Sequence, residues 1–523
     1  MPRRRRHLAQ GHEPQGRPPL PPGPRPPGFS RPLSHRGREP GAFPETGQQG
    51  RRRQRPQAAR GVRSLPSLGP PPGGRLSPAG ALDRAGPWLV AAYAGTALAL
   101  PEVGEGFKVL VLVAGFGGFF WLARGRRFAA PVKLLLAAAL VALLSWGLSR
   151  LHHPQWAESS PKVHRLTHWF AFLAVAWLLA GRVRRVLLAW GAGLAGLLVA
   201  PWFTGRGGYD WFVGWHGERV DFGLHNAQHA TLLFATGLLG LIALAGRCLG
   251  PGPWRLLRGL LWTLATLACA VAVVITQTRG VWLGLAVAVL VMLAAAGLAL
   301  RRRLSPGPRR RWLTGALLAG VLGLALAAAC SPIVEQRLAD ERQAIGLLAR
   351  GQMEGVTGSV AGRVVSWWAA LPWIAERPLV GWGGNGRSLV LEHSPGLPGW
   401  IGEEGFRHLH NGYLDTLVNY GLAGLAVLAG LLVWLTREAL RARRAGALPA
   451  DFLLFYMAFL GFWLVVNLFE SFLYFSSGDW VFTLVAGGVA TFMPWRTGSA
   501  AGSDRPPATA GARPANAACP GPR

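Results

Sequence analysis

Residues 258–303 read RGLLWTLATLACAVAVVITQTRGVWLGLAVAVLVMLAAAGLALRRR. Two apolar runs, 257–275 and 280–300, are joined only by Thr276-Gln277-Thr278-Arg279. Each run is about twenty residues long, the length an α-helix needs to cross the hydrocarbon of a bilayer. A helix on the surface of a soluble domain carries one apolar stripe, whereas these runs are apolar all round and nearly uncharged. The stretch reads as a membrane hairpin of two helices, ended by Arg301-Arg302-Arg303.

The same kind of block recurs on both sides of it. About twelve spans are expected, at 86–101, 106–123, 130–149, 165–181, 185–203, 226–246, 257–275, 280–300, 312–330, 412–436, 451–470 and 479–495. With the N-terminus inside, every inner connection is basic: Arg124 to Arg127, Arg182 to Arg185, Arg247 to Arg258, Arg301 to Arg311 and Arg437 to Arg444. The outer connections are mixed or acidic, or carry isolated arginines, as the positive-inside rule requires. The expected class is an all-α polytopic membrane protein with about 12 transmembrane helices, one large outer loop containing amphipathic helices, and both termini inside.

The expected organisation is a disordered Arg/Pro-rich tail over 1–84, spans one to nine over 85–330, the outer loop over 331–411, spans ten to twelve over 412–495, and a disordered tail over 496–523. The N-terminal tail holds no apolar run of signal-peptide length. The net charge of +31 in 523 residues lies mostly in that tail and the inner loops, so it argues for orientation in a membrane and against nucleic acid as a partner. The four cysteines show neither metal-ligand nor disulfide-framework spacing. Gly-x-Ser-x-Gly, Walker, His-Glu-x-x-His and Cys-x-x-Cys patterns are absent, which leaves hydrolase, ATPase and metalloprotease readings without support.

Topology then sorts the polar residues. Arg279, His225, Asn226, His410, Asn411 and Glu470 all stand at outer ends of spans. Arg279 is either a snorkelling anchor or an anion ligand, since a guanidinium meets phosphate oxygens with two parallel donors. Arg219 and Arg363, in the outer loops, are either solvated or gathered with Arg279 around a diphosphate. His225 and His229 share a helix face, and the spacing fits a polar helix entrance better than a zinc site, because no third ligand follows. His410 follows the long loop and opens a span beside Asn411, a place where a near-neutral imidazole could take a proton from a hydroxyl. His408 is a weaker candidate for that role.

Three further stretches carry structural expectations. Gly421 and Gly424, one turn apart, suit close packing of another helix. Residues 360–376 read as an amphipathic helix whose tryptophans could lie at the membrane interface. Gly381 to Gly386 formally matches G-x-G-x-x-G but follows Pro378 in a loop, so a flexible turn, open to a backbone approach by a ligand, is expected rather than a nucleotide site.

These residues resemble the O-antigen ligase family, which also holds O-antigen polymerases and pilin-type oligosaccharyltransferases. The resemblance rests on His410-Asn411 followed after nine residues by Gly421 and then Gly424, on Thr276-Gln277-Thr278-Arg279-Gly280, and on Gly362-Arg363, Trp367 and Arg377-Pro378-Leu379-Val380-Gly381. It covers about residues 200–475. It implies a GT-C-like, metal-independent, inverting glycosyltransferase of the bacterial inner membrane, with its active site in the periplasm and no cofactor. The implied donor is a glycan on undecaprenyl diphosphate. The implied acceptor is lipid A-core first, another glycan or a protein second. On this resemblance Arg279, with Arg219 and Arg363, binds the diphosphate, and His410, oriented by Asn411, activates the acceptor. A transporter or flippase is the reading from another class, and it would place polar or broken spans near mid-membrane.

Overall fold

The computed structural model describes residues 78–122, 130–301, 359–395 and 406–493, with isolated positions between 313 and 350 and at 397 and 401. The expected span at 312–330, the first part of the outer loop and most of both tails lie outside the described residues. Every regular element among the described residues is helical. The protein is an all-α polytopic membrane protein.

Seven of these helices are long and apolar enough to cross a membrane. In chain order the helices are α1 Pro78–Thr96, α2 Pro101–Leu122, α3 Ala130–His152, α4 Phe172–Leu179, α5 Val183–Val199, α6 Gly208–Trp215 and α7 Ala227–Cys248. There follow α8 Arg255–Ile275, α9 Arg279–Arg301, α10 Ser359–Glu376, α11 Gly386–His393, α12 Gly412–Arg444, α13 Ala450–Val466 and α14 Ser476–Ala490. Helix α1 begins inside the stretch expected to be tail, and its Asp83 accepts from Arg185 of α5 at 2.7 and 2.9 Å. The span expected at 165–181 is interrupted: short turns at His164–Thr167 and His168–Phe170 precede α4.

Helix α13 is buried along most of its length and packs on α9 and α7, so its sequence is apolar on every side. Helix α8 buries Cys269, Ala272, Val273 and Ile275 and leaves Leu256, Leu257, Leu260, Leu261, Leu264 and Leu267 exposed along one side. In water that stripe would be an aggregation surface. In a membrane helix it is the face that meets lipid.

Helix α12 departs from the expected pattern at Gly421. There φ is +61° and ψ −163°, a conformation that only glycine adopts without strain. Four backbone groups around the break bond to an irregular, turn-containing segment of the preceding loop. Leu422 and Ala423 donate to the carbonyls of Pro378 and Leu379 at 2.8 and 2.9 Å. Trp382 and Gly383 donate to the carbonyls of Val418 and Asn419, each at 2.9 Å. A Cβ on Gly421 would stand 2.3 Å from the carbonyl carbon of Leu379. Gly421 therefore admits a loop backbone, not a packed helix. The nearest atoms to a Cβ on Gly424 belong to its own helix, at Tyr420 and Thr416. The glycine-rich turn at 381–386 likewise approaches α12, with φ positive at Gly381 and Gly383.

Helix α10 forms over nearly the expected residues, but its tryptophans face mostly inward. Trp367 Nε1 donates to the Leu409 carbonyl at 2.7 Å, and Trp373 Nε1 donates to Ser394 Oγ at 2.9 Å. Trp368 is the one of the three left exposed. The difference follows from the indole N–H, which needs an acceptor when buried and finds it in the chain leading to His410.

Candidate active site

Two short segments bring the site together by the same local device. Asn226 and Asn411 both cap helices: Asn226 Oδ1 accepts from the amides of Gln228 and His229, and Asn411 Oδ1 from those of Tyr413 and Leu414. Each follows a histidine with positive φ, His225 at +71° and His410 at +50°. A non-glycine residue held there stores strain of about 1–3 kcal/mol, which recurs where a side chain must be aimed. The Asn411 side-chain oxygen is thus occupied by the helix end.

The N-terminus of α12 docks on the turn after α13. Gly412 donates to the Asn467 carbonyl at 2.8 Å, and a Cβ on Gly412 would stand 2.9 Å from Asn467 Oδ1. That docking sets His410 against Glu470. Glu470 is only 1% exposed. A buried carboxylate needs several donors, and four surround this one. Oε2 accepts from His410 Nδ1 at 2.8 Å, and Oε1 accepts from His408 Nε2 and from the Ser471 amide. With its amide turned to suit both neighbours, Gln228 donates to Glu470 Oε2 and accepts from Arg363 Nη2 at 2.7 Å.

Charge follows from this geometry. Burial pushes the Glu470 carboxyl up, but the bonds from His408 and His410 outweigh it and hold the group well below the usual carboxylate range. Burial pulls the His410 imidazole down, Glu470 offsets part of that, and the charges of His408 and Arg363 add to the lowering. Nδ1 of His410 carries the proton that faces Glu470, a tautomer assigned from its acceptor. The lone pair is then on Nε2. A neutral imidazole oriented by a buried carboxylate is a general base in form. The ligating atoms of His408, His410 and Glu470 also lie within 4.8 Å of one another, a spacing that suits three ligands of a cation as well as a hydrogen-bonded triad.

The three arginines singled out in the sequence stand on different elements, and a hydrogen-bond chain links one of them, Arg363, to this triad. Arg363 joins it through Gln228. A Cβ on its neighbour Gly362 would meet the Phe406 ring at 2.4 Å, and that ring packs edge-on to His410 at 4.9 Å. Arg279 opens α9, where a Cβ on Gly280 would stand 2.8 Å from Phe469 Cβ, one residue from Glu470. Arg219 donates from Nε to the Thr276 carbonyl at 3.3 Å, and Gln277 donates to the Gly217 carbonyl at 2.8 Å. Arg219 is thereby tied to the turn that carries Arg279.

Glu470 and Gln228 had no role in the sequence reading. Glu470 was visible only as an acidic residue at a span end, and Gln228 only as a neighbour of two histidines. His408, the weaker candidate, shares the same carboxylate as His410. The ring of His225 stacks edge-on to His229, and both lie against Phe475, 5.2 and 4.8 Å between centroids.

Compared with known families, residues 264–429 match the family model described as O-antigen ligase. The match takes in Arg279, Arg363, His410, Asn411 and Gly421 and ends before Glu470. No curated protein matches the chain.

Proposed function

From the match of residues 264–429 to the O-antigen ligase family model, within an all-helical membrane protein, we propose that the chain is a glycosyltransferase-type enzyme that moves a glycan from a polyprenyl diphosphate to an acceptor hydroxyl on the periplasmic face of the bacterial inner membrane. Lipid A-core is the proposed acceptor. Polymerisation of repeat units, or transfer to a protein, would use the same chemistry on a different hydroxyl.

The observation that carries the proposal is the chain Arg363–Gln228–Glu470–His410, which couples a cation to a proton acceptor through one buried carboxylate. In the proposed step the acceptor oxygen attacks the anomeric carbon as the carbon–oxygen bond to the diphosphate breaks. The electron pair leaves with the diphosphate, and the acceptor proton passes to His410 Nε2. Attack from the side opposite the leaving group inverts the anomeric centre. Glu470 would stabilise the imidazolium that forms, and general-base help of this kind is worth about 10²–10⁴ in rate.

Arg279, Arg219 and Arg363 would meet the charge that grows on the departing diphosphate. Donors fixed in advance at such a place each contribute about 3–4 kcal/mol to the barrier. This division of labour asks no metal ion to hold the leaving group. Transfer from a polyprenyl-diphosphate glycan in proteoliposomes, with lipid A-core, a repeat unit and a pilin offered separately, tests the proposal. Glycosylation of none of the three would overturn it.

A further inference from the structure

A second group of cations lies outside this site. A pocket of about 360 Å³ is lined by Lys108 of α2, Arg165, His168, Arg387 of α11, Phe475 and Ser476, among others. Phe475 is a shared wall: its ring also packs against His408 at 5.0 Å. The pocket therefore adjoins the His408–Glu470–His410 triad while its charges come from different helices.

Each cation is anchored on one side by a carboxylate. Lys108 Nζ is 3.2 Å from Asp479, Arg165 Nη1 is 3.4 Å from Glu158, and Arg387 Nη1 donates to the buried Asp415 at 3.0 Å. These pairs lower the net charge of the pocket but fix the cations in place. An arginine has five N–H donors in a rigid fork, so pairing at one edge leaves others for a ligand. Arg387 is held further by Tyr474, whose ring lies 5.2 Å from the guanidinium carbon.

Behind Arg165, outside the pocket lining, two polar atoms are buried. The Tyr420 hydroxyl, on a side chain with no exposure, and Glu158 Oε2 are buried without a hydrogen-bond partner among the described residues. Both converge with Arg165 at Gly384. A Cβ there would stand 3.0 Å from Glu158 Oε2, 3.2 Å from Tyr420 Oη and 3.3 Å from Arg165 Nη1. Buried polar groups in folded proteins are nearly always satisfied, by protein, water or ligand. Cations suit phosphate oxygens, and the Ser476 hydroxyl and the His164 imidazole on the pocket wall suit sugar hydroxyls.

We infer that this pocket binds the phosphate-bearing saccharide headgroup of a lipid substrate, with Lys108, Arg165 and Arg387 on the phosphate and Ser476 and His164 of the pocket wall on sugar hydroxyls. Two sources share that chemistry: the sugar diphosphate of the donor, and a phosphorylated acceptor glycolipid. The inference rests on the glycosyl-transfer reading for its substrates, but its test reads binding alone.

The full chain in nanodiscs would be titrated with a synthetic disaccharide 1-phosphate, with the same disaccharide lacking phosphate, and with farnesyl diphosphate. Lys108→Gln removes one charge, and Ser476→Trp blocks the exposed rim without touching an ion pair. Each variant is expected to weaken the disaccharide 1-phosphate by about tenfold or more, the scale of one lost charge-assisted contact. If farnesyl diphosphate weakens in parallel, the pocket serves the donor; if it binds unchanged, the pocket serves the acceptor. Equal binding of the two disaccharides, or wild-type binding of the phosphorylated one by both variants, overturns the inference. His410→Ala protein should bind the disaccharide 1-phosphate like wild type even where its transfer is lost, which separates failure of the pocket from failure of the transfer reading.

Discussion

Glu470 Oε2 lies 2.8 Å from His410 Nδ1, and the two residues are sixty positions apart in the chain. The contact joins the start of α12 to the turn after α13, and it fixes which imidazole nitrogen is left to face a substrate. The proposed chemistry depends on that one bond.

Glu470→Gln keeps the shape and removes the charge. Transfer is expected to fall by about 10–100-fold, the usual loss when the group orienting a working histidine is changed. The pH profile gives a second readout. His410 titrates below its ordinary 6.5, so the base form is present at neutral pH and the acid limb of the rate should have its midpoint below that value. Glu470 raises the imidazole against the larger effect of burial, so the Gln variant should shift the midpoint further down while lowering the plateau. A merely structural role would lower the plateau and leave the midpoint in place. Rates measured in proteoliposomes between pH 4.5 and 8 would decide.

Asn411 should behave unlike His410. Its side-chain oxygen caps α12, so Asn411→Ala is expected to cost about 0.5–2 kcal/mol of stability. Asn411→Asp or Asn411→Ser, which also cap, should restore both stability and transfer. A loss of transfer in the Ser variant with unchanged thermal stability would instead assign Asn411 to the substrate.

Gly421→Ala places a Cβ against the Leu379 backbone at a φ of +61°. Strain and overpacking together predict a loss of about 2–6 kcal/mol. Undocking of the 378–383 segment should follow, seen as faster amide exchange at Trp382 and Gly383. An alanine variant with wild-type exchange at those amides would contradict the docking role given to this glycine.

The membrane class and the helical hairpins were legible in sequence because twenty-residue apolar runs leave a helix no other place to go. His410 stood out because it breaks that apolar pattern at a helix end, and Arg363 only as one of the arginines in the outer loops. Gly421 was legible as a special position but not for its purpose. Its partner is an irregular backbone segment from another part of the chain, and no local pattern announces which backbone will come close. Glu470 and Gln228 were illegible for a related reason. Each is an ordinary polar residue at a helix end until the fold sets it beside His410. The inward turn of Trp367 was also hidden, since an amphipathic helix presents the same sequence to a membrane as to a protein surface.

Arg279→Gln and His410→Ala should part in their kinetics. Loss of Arg279 removes stabilisation of the leaving diphosphate and is expected to cost about 10²–10³ in kcat. Arg279→Lys should recover only part of this, since an ammonium cannot offer two parallel donors. A lysine variant at full rate would point to simple charge at the membrane surface.

The most direct measurement is single-turnover transfer from a lipid-diphosphate glycan in proteoliposomes by the wild type and by His410→Ala, each checked for folding by thermal unfolding. The account predicts a stable variant whose rate falls by about 10²–10⁴, the range of a lost general base. A stable His410→Ala protein that transfers glycan at the wild-type rate would contradict it.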